Sequence, residues 1–254
     1  MKDSSKLSEE NIKIIKHLKE ISLVKNISII NLIKNGLDFE YERKENAYFF
    51  RFMRKRDSDF RVYFCVKDIY ELNEMKIFLK DSDTTFASIP KWIIPEISKD
   101  RKILWKENAY RFILPNNIEI KEEKEIHDTK LDIEMIKDKD ISIINSLWPY
   151  RDENSEIYIG SRIKEGLSSG IYIEGEIAAW CLTHFDNSLA HLFVLDRFRR
   201  KNLAHKLLFH MSSTVRKSGR TPYLYSVKDN FGAHKLFEKL GYVKSEDVCW
   251  FAMK

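Results

Sequence analysis

The chain has few cysteines, no long apolar run and no large excess of charge of either sign. Its three cysteines, Cys65, Cys181 and Cys249, have no metal-ligand spacing and do not form an even set for disulfides. Each lies in an apolar, strand-like run, which predicts buried free thiols in a reducing compartment. No apolar run approaches the roughly 20 residues that a membrane-spanning helix needs. The sequence therefore argues against a metal site, a disulfide framework and a membrane protein.

The charge balance also excludes one class of partner. The 44 basic and 39 acidic residues give a net charge of +5, which is too balanced to indicate nucleic-acid binding. Residues 1–10 are polar and lack the apolar core of a secretory signal peptide. We therefore expect a cytoplasmic protein, with a mitochondrial location left open.

The length of 254 residues suits one large domain or two modest ones. Residues 119–130 are highly charged and poorly periodic, which is typical of an interdomain linker. We therefore divide the chain into an N-terminal α/β domain of unknown role, residues 1–126, and a second domain, residues 127–254.

Hydrophobic periodicity predicts the elements of the first domain. Residues 11–34 indicate one helix, or two helices with a break near Asn26. Two strands joined as a hairpin, a helix and a further strand follow. These elements cover residues 47–52, 60–66, 69–79 and 110–114.

The second domain has the order strand, helix, helix, three strands, helix, strand, helix, strand. The strands are predicted at 131–136, 170–173, 177–185, 189–195, 222–227 and 248–253, and the first two helices at 141–147 and 155–165. This alternation predicts a mixed sheet flanked by helices.

Residues 193–204 carry the first informative motif: a buried strand, a bend and a helix that opens with cations. Arg199, Arg200 and Lys201 precede an apolar helical stripe. Unpaired N–H groups and a partial positive charge at a helix start attract anions, so this pattern suits the pyrophosphate of coenzyme A. A solvated basic face is the alternative interpretation.

The second motif, residues 229–242, is a helix capped at its start and ended by Gly241. Together the two motifs resemble the cofactor half of the GNAT acyltransferase superfamily. Residues 199–204 match its Arg/Gln-x-x-Gly-x-Gly/Ala pattern, with Asn202 in place of a glycine. The matches to the family's second helix are Asn230, Ala233, Leu236, Phe237, Lys239, Gly241 and Tyr242.

Two further segments narrow the resemblance. The sequence Asn-Ser-Leu-Trp-Pro at 145–149 and the Ala-Ala-Trp at 178–180 resemble the glycine N-acyltransferase-like family, especially its uncharacterised animal members. This resemblance implies transfer of an acyl group from acetyl-CoA or another acyl-CoA to glycine or another small amine.

The resemblance also implies a coenzyme site. Backbone N–H groups of the fourth strand would meet the pantetheine and polarise the thioester, and the basic helix start would hold the pyrophosphate. Phe237 stands where many relatives have a tyrosine that can protonate the leaving thiolate. The residues assigned to the coenzyme are Leu192, Phe193, Val194, Arg199, Arg200, Lys201, Asn202, Leu203, Ala204, Asn230, Ala233 and Phe237.

The base that deprotonates the amine is less clear from the sequence. Glycine-conjugating relatives use a glutamate near the start of the fourth strand, where this chain has Ser188. Nearby candidates are His191 first, then Asp186 and His184. A short turn at Asn187 would put both histidines on one sheet face, and a histidine suits this proton transfer. The alternatives are a structural histidine at 191 and a turn residue at 186.

The predicted fold is therefore α/β (α+β), with a GNAT fold in the C-terminal half beside a divergent N-terminal domain. The preferred function is N-acylation of a small amine by acyl-CoA, without a metal, a nucleic acid or a membrane. Two alternatives stay open: acetylation of a protein or polyamine, and a catalytically inactive CoA-binding or interaction module.

Overall fold

The computed structural model describes residues 7–54, 59–120 and 132–254. It divides into two compact units. Unit 1 comprises Met1–Arg111, Val227–Asp229 and Ser245–Lys254, and unit 2 comprises Phe112–Ser226 and Asn230–Lys244. The domain boundary that we place after residue 126, and most of the expected linker, lie outside the described residues, so that division stays a prediction.

The described residues form seven α-helices and eleven strands. The helices are α1 (Glu9–Lys34), α2 (Ile69–Lys76), α3 (Ile94–Ile97), α4 (Ile141–Ser146), α5 (Ser155–Glu165), α6 (Leu203–Lys217) and α7 (Phe231–Lys239). The strands are β1 (Phe39–Lys44), β2 (Ala47–Arg54), β3 (Asp59–Cys65), β4 (Thr85–Pro90), β5 (Ile103–Ile113), β6 (Asp132–Glu134), β7 (Ser169–Ile173), β8 (Glu176–Thr183), β9 (Leu189–Val194), β10 (Tyr223–Val227) and β11 (Val243–Met253).

Unit 1 is a mixed sheet with the strand order β1-β2-β3-β4-β11-β5. The predicted hairpin of β2 and β3 is antiparallel, with Tyr48 opposite Cys65, while β3 and β4 are parallel. The turn residues 55–58 of this hairpin lie outside the described residues. One face buries apolar side chains of β2, β3, β4, α2 and β11, among them Phe49, Phe86 and Phe251. Successive side chains of a strand point to opposite faces, and Tyr48, Phe49, Phe50 and Phe52 of β2 are all buried, so this sheet buries apolar side chains on both faces.

Helix α1 is broken at Ser22, not near Asn26 as the sequence suggested. Ser22 has non-helical dihedral angles, and its hydroxyl accepts a hydrogen bond from the Lys25 N–H at 3.2 Å. Serine thus acts as the N-cap of the second helical segment. Asn26 is buried inside that segment, and its amide donates to the Leu18 carbonyl across the break. The asparagine therefore bridges the two segments and does not interrupt them.

Unit 2 contains a second mixed series of strands in the order β10-β9-β8-β7-β6. Strands β6 to β9 pair antiparallel, and β9 and β10 pair in parallel at Leu189 and Leu224. A core of α4, α5 and β8 side chains, including Tyr158, Ile159 and Trp180, covers one face. The mixed α/β class is therefore confirmed.

Two strands of unit 1, β1 and β4, were not predicted, and β5 and β11 begin earlier than expected. Strand β1 is the outer strand of its unit, so most of its residues are exposed. Its sequence, Phe-Glu-Tyr-Glu-Arg-Lys, is mostly charged, as is common at a sheet edge, and so lacks the apolar run by which strands are predicted.

The three cysteines are buried free thiols, and burial raises the pKa of Cys65 and of Cys181 to about 12. Within the described ranges, every helix is too short or too polar to span a bilayer.

Candidate functional site

A β-bulge in β9 shapes the centre of unit 2. Trp180 pairs with Phe193 and Leu182 with Ala190, so two β9 residues, His191 and Leu192, stand opposite a single residue of β8. His191 has a φ of +55°, which few non-glycine residues adopt. A bulge of this kind interrupts the ladder and redirects side chains and N–H groups. Leu192, Phe193 and Val194 follow on β9, beyond the single parallel pair with β10.

The bulge brings the two predicted histidines together. The ring centroids of His184 and His191 lie 5.3 Å apart in an edge-on contact. The Tyr158 hydroxyl from α5 lies 2.5 Å from Nδ1 of His184. The indole of Trp148 covers His191, with centroids 4.7 Å apart, and stacks on Tyr158. We refer to Trp148, Tyr158, His184 and His191 as the histidine cluster.

Asp186, the third predicted base, is placed differently. Its carboxylate accepts hydrogen bonds from the backbone N–H and the hydroxyl of Ser188, at 3.1 and 2.6 Å. Its carbonyl accepts from the Tyr223 hydroxyl at 2.5 Å. These bonds hold the turn between β8 and β9, in which Asn187 has a φ of +60°. Asp186 therefore helps to hold the turn, and its assignment as a candidate base stays a prediction.

Burial makes His191 a weak base. Desolvation, followed by the neighbouring His184, lowers the pKa of His191 to about 3. His191 is half-buried as a residue, but its Nε2 atom is enclosed and has no hydrogen-bond partner among the described residues. His191 is thus neutral at physiological pH and can accept a hydrogen bond or a proton only from a group that enters the cluster.

This shift predicts a pH dependence of stability. Between about pH 6.5 and pH 3 the unfolded chain binds a proton at position 191 that the folded chain does not, so stability falls as the pH falls through this window. One proton contributes at most about 1.4 kcal/mol per pH unit. His191→Asn, which tolerates the left-handed backbone, is expected to show a shallower acid slope in urea titrations at several pH values. An unchanged slope would contradict the assignment, and His210, whose pKa burial also lowers, contributes to the slope that remains.

The predicted phosphate-binding segment follows β9. After a 3₁₀ turn at Asp196–Phe198, Arg200 and Asn202 have φ values of 61° and 60°, and α6 begins at Leu203. Asparagine tolerates the left-handed region better than most residues. Asn202 therefore retains the backbone conformation for which glycine would be chosen, although it adds a side chain.

The cations of this segment differ in how they are engaged. Arg199 forms an ion pair with Asp196 at 2.8 Å and donates to the Val194 carbonyl. Arg200 and Lys201 are exposed, beside the first N–H groups of α6. Leu203 is buried in the core, and Ala204 is half-buried. Arg200 and Lys201 are thus the two side chains best placed to meet an anion here.

Helix α7 carries the last predicted coenzyme residues. Asn230 caps the helix, with its side chain accepting from the Ala233 N–H at 3.3 Å. Phe237 is buried against Phe112, with centroids 5.3 Å apart. It fills the core and has no proton to donate.

Tyr158 and Trp148, which complete the histidine cluster, were not among the site residues that the sequence predicted. Tyr158 lies within α5 and Trp148 just beyond the end of α4, and only the tertiary contact with the histidines distinguishes them from ordinary core residues. Among the residues that the structure describes, no group of histidine, cysteine and acidic side chains could hold a metal ion.

Comparison with known proteins identifies the fold. Residues 166–251 match the family model described as FR47-like protein. A Drosophila protein of solved structure is similar, with a TM-score of 0.78 at 17% identity over 96% of both chains. A GNAT-family acetyltransferase from Colwellia psychrerythraea has a TM-score of 0.55 at 12% identity over 97% of both chains. A GCN5-related N-acetyltransferase from Kribbella flavida has a TM-score of 0.56 at 12% identity, over 91% of this chain and 95% of its own.

A comparison with curated protein sequences gives no match. The solved structures are too distant in sequence to show more than the architecture. They confirm the fold that the two motifs predicted: the chain has the GNAT fold, with an FR47-like region at residues 166–251.

Proposed function

We propose that the protein is an acyl-CoA-dependent N-acyltransferase whose acceptor is a small amine, such as glycine or another amino acid. The observation that carries the proposal is the segment between β9 and α6. There a bulged strand leads into a left-handed Asn202 and an exposed basic helix start. Such a helix start binds phosphate groups through backbone N–H groups and a favourable dipole.

The coenzyme would lie along this segment. The N–H groups at the start of α6, with Arg200 and Lys201, would hold the pyrophosphate. Leu192 lies in the bulge, where the ladder to β8 is interrupted, and Phe193 and Val194 follow it. The N–H groups of these three residues would meet the pantetheine and the thioester carbonyl. Donors that are fixed before the reaction stabilise the oxyanion without reorganisation.

The histidine cluster would receive the amine. In the tautomer with a hydrogen on Nδ1, His184 donates to the Tyr158 oxygen and keeps Nε2 as the nitrogen able to take up a proton. We therefore assign the role of base to His184 and a positioning role to Tyr158. The neutral His191 would accept a hydrogen bond from the amine as it loses its proton.

The chemical step would be direct attack. His184 takes the ammonium proton, and the freed amine nitrogen forms a bond to the thioester carbonyl carbon. The carbon–sulfur bond breaks, and the second proton of the nitrogen passes to the departing thiolate. Phe237 supplies no acid, but a thiol pKa of about 8.5 makes the thiolate an adequate leaving group.

One alternative has support of its own. Asp186 is engaged in the turn, Ser188 stands at the glutamate position of the glycine-conjugating relatives, and Phe237 is buried. These features suit a CoA-binding module without catalysis. Coenzyme binding without turnover of any amine would distinguish it from the enzyme.

Binding of acetyl-CoA tests the site first. At a hundredfold excess over the dissociation constant, the ligand should stabilise the fold by about 2.7 kcal/mol, measured as a thermal shift. Arg200→Glu should weaken binding about tenfold or more, because it places a negative charge beside the pyrophosphate. Lys217→Glu makes the same change of charge at the C-terminal end of α6, away from the helix start, and should bind acetyl-CoA as the wild type does.

The outcomes separate cleanly. The proposed function would be contradicted if neither acetyl-CoA nor a longer acyl-CoA raised the melting temperature. Equal weakening by both variants would show a general charge effect and remove α6 as the phosphate site.

A further inference from the structure

We propose that unit 1 contains a second binding site, for a small amphipathic carboxylate with one negative charge and an apolar body. The site is a cavity of about 330 Å³ between α1, the end of β3, the end of β4 and the β5 and β11 residues Arg111 and Glu246. This volume lies in the range typical of small-molecule pockets. The inference does not rest on the proposed acyltransferase function, because its residues are all in unit 1.

The apolar side chains that line the cavity favour a ligand with an apolar body. Apolar surface comes from Ile21 and Ile29 of α1, Phe64 of β3, and Val66 and Trp92 beyond the strand ends. Trp92 has 42% of its surface exposed, although it is a large aromatic residue. Ile29 and Phe64 are already buried, so an apolar ligand group would remove from water mainly the remaining surface of Trp92, Ile21 and Val66.

The charged residues of the lining determine the net charge of the cavity, and most of them form ion pairs. Arg111 is 1% exposed and is paired with Glu246 at 3.0 Å, while it also donates to the carbonyls of Val24 and Lys25 and to the Ser88 hydroxyl. Lys67 is paired with Glu71, likewise at 3.0 Å. These two pairs are neutral overall.

One cation of the lining has no such partner. Lys25 is exposed at the cavity and forms no ion pair among the described residues. The cavity therefore has one positive charge to offer, which a carboxylate would neutralise.

The break in α1 favours the same charge. Ser22, Lys25 and Asn26 all line the cavity, and they lie at the start of the second helical segment. The first N–H groups of a helical segment carry a partial positive charge, so an anion beside them is stabilised. Lys25 and the segment start thus act on the same part of the cavity.

The test uses three probes with one body and different charges: 4-phenylbutyrate, its neutral amide and 4-phenylbutylamine. Titration calorimetry on the full chain, with tryptophan fluorescence as a second readout, should show binding of the carboxylate, weaker binding of the amide and none of the amine. Phenylacetate and octanoate vary the length and type of the body. Trp92→Phe should abolish the fluorescence response and keep the calorimetric one.

Variants locate the site. Lys25→Gln should weaken carboxylate binding about tenfold, while Lys19→Gln, an exposed lysine on the same helix outside the cavity, should leave it unchanged. Val66→Phe narrows the cavity and should also weaken binding, with circular dichroism confirming that it folds. The proposal is overturned if none of the three carboxylates binds, if the amide binds equally well, or if Lys25→Gln or Val66→Phe retains wild-type affinity.

Discussion

Asp83→Ala is expected to destabilise unit 1 by about 3–5 kcal/mol, because it leaves the charge of Arg51 buried without its partner. Both side chains are almost completely buried, with Asp83 2% and Arg51 5% exposed. The pair is bidentate, with Arg51 donating to the two carboxylate oxygens at 2.7 and 2.6 Å. Asp83 also accepts the Lys80 N–H, and Arg51 donates to the Phe78 carbonyl.

The same arginine supplies the control. Glu40 lies 3.8 Å from Arg51, but its side chain is 57% exposed. Glu40→Ala should therefore cost less than about 1 kcal/mol, as exposed ion pairs usually do. Urea unfolding of the two variants measures the difference, and equal destabilisation would refute the distinction between the buried and the exposed partner.

His184→Ala is expected to lower the rate of amine acylation by about 10²- to 10⁴-fold near neutral pH, the usual effect of losing a general base. The deficit should shrink as the pH rises, because a larger fraction of the acceptor amine is then already unprotonated. Affinity for acetyl-CoA should stay unchanged, since His184 is not among the residues assigned to the coenzyme.

Two further variants test whether His184 acts as the base. Tyr158→Phe keeps the ring in the cluster and removes the hydroxyl bonded to Nδ1 of His184, so an intermediate loss is expected. His210→Gln removes a half-buried histidine of α6 and should leave the rate unchanged. A pH-independent loss in His184→Ala, or a parallel loss of acetyl-CoA binding, would show that His184 acts only in packing.

The elements with clear local signals were predictable from the sequence. Helix α5 occupies the predicted residues Ser155–Glu165, and β9 and β10 each lie within a residue of expectation. The cofactor motifs also led to the fold, because they combine helix starts, turns and glycine positions whose geometry is local.

The elements that could not be predicted depend on tertiary structure. The outer strand β1 is mostly charged, and Ser22, not Asn26, breaks α1 because its hydroxyl caps the following segment.

The candidate site was only partly predictable. A short turn between β8 and β9 indicated that His184 and His191 share a face, and the structure places their rings in contact. The bulge in β9 and the contact with Tyr158 depend on the pairing of distant residues, which no local pattern reveals. The low pKa of His191 is likewise a property of its tertiary surroundings.

The assignment of Ser245–Lys254 to unit 1 has a consequence for how the chain folds during synthesis. Strand β11 lies between β4 and β5, and its Cys249, Phe251 and Met253 complete the apolar core formed with β2, β3 and β4. When synthesis has reached the end of β5, the chain still lacks β11, an interior strand of the unit 1 sheet. Domains usually fold as units, with the N-terminal one first. Here unit 1 can complete its core only when β11 has been synthesised, which happens after unit 2.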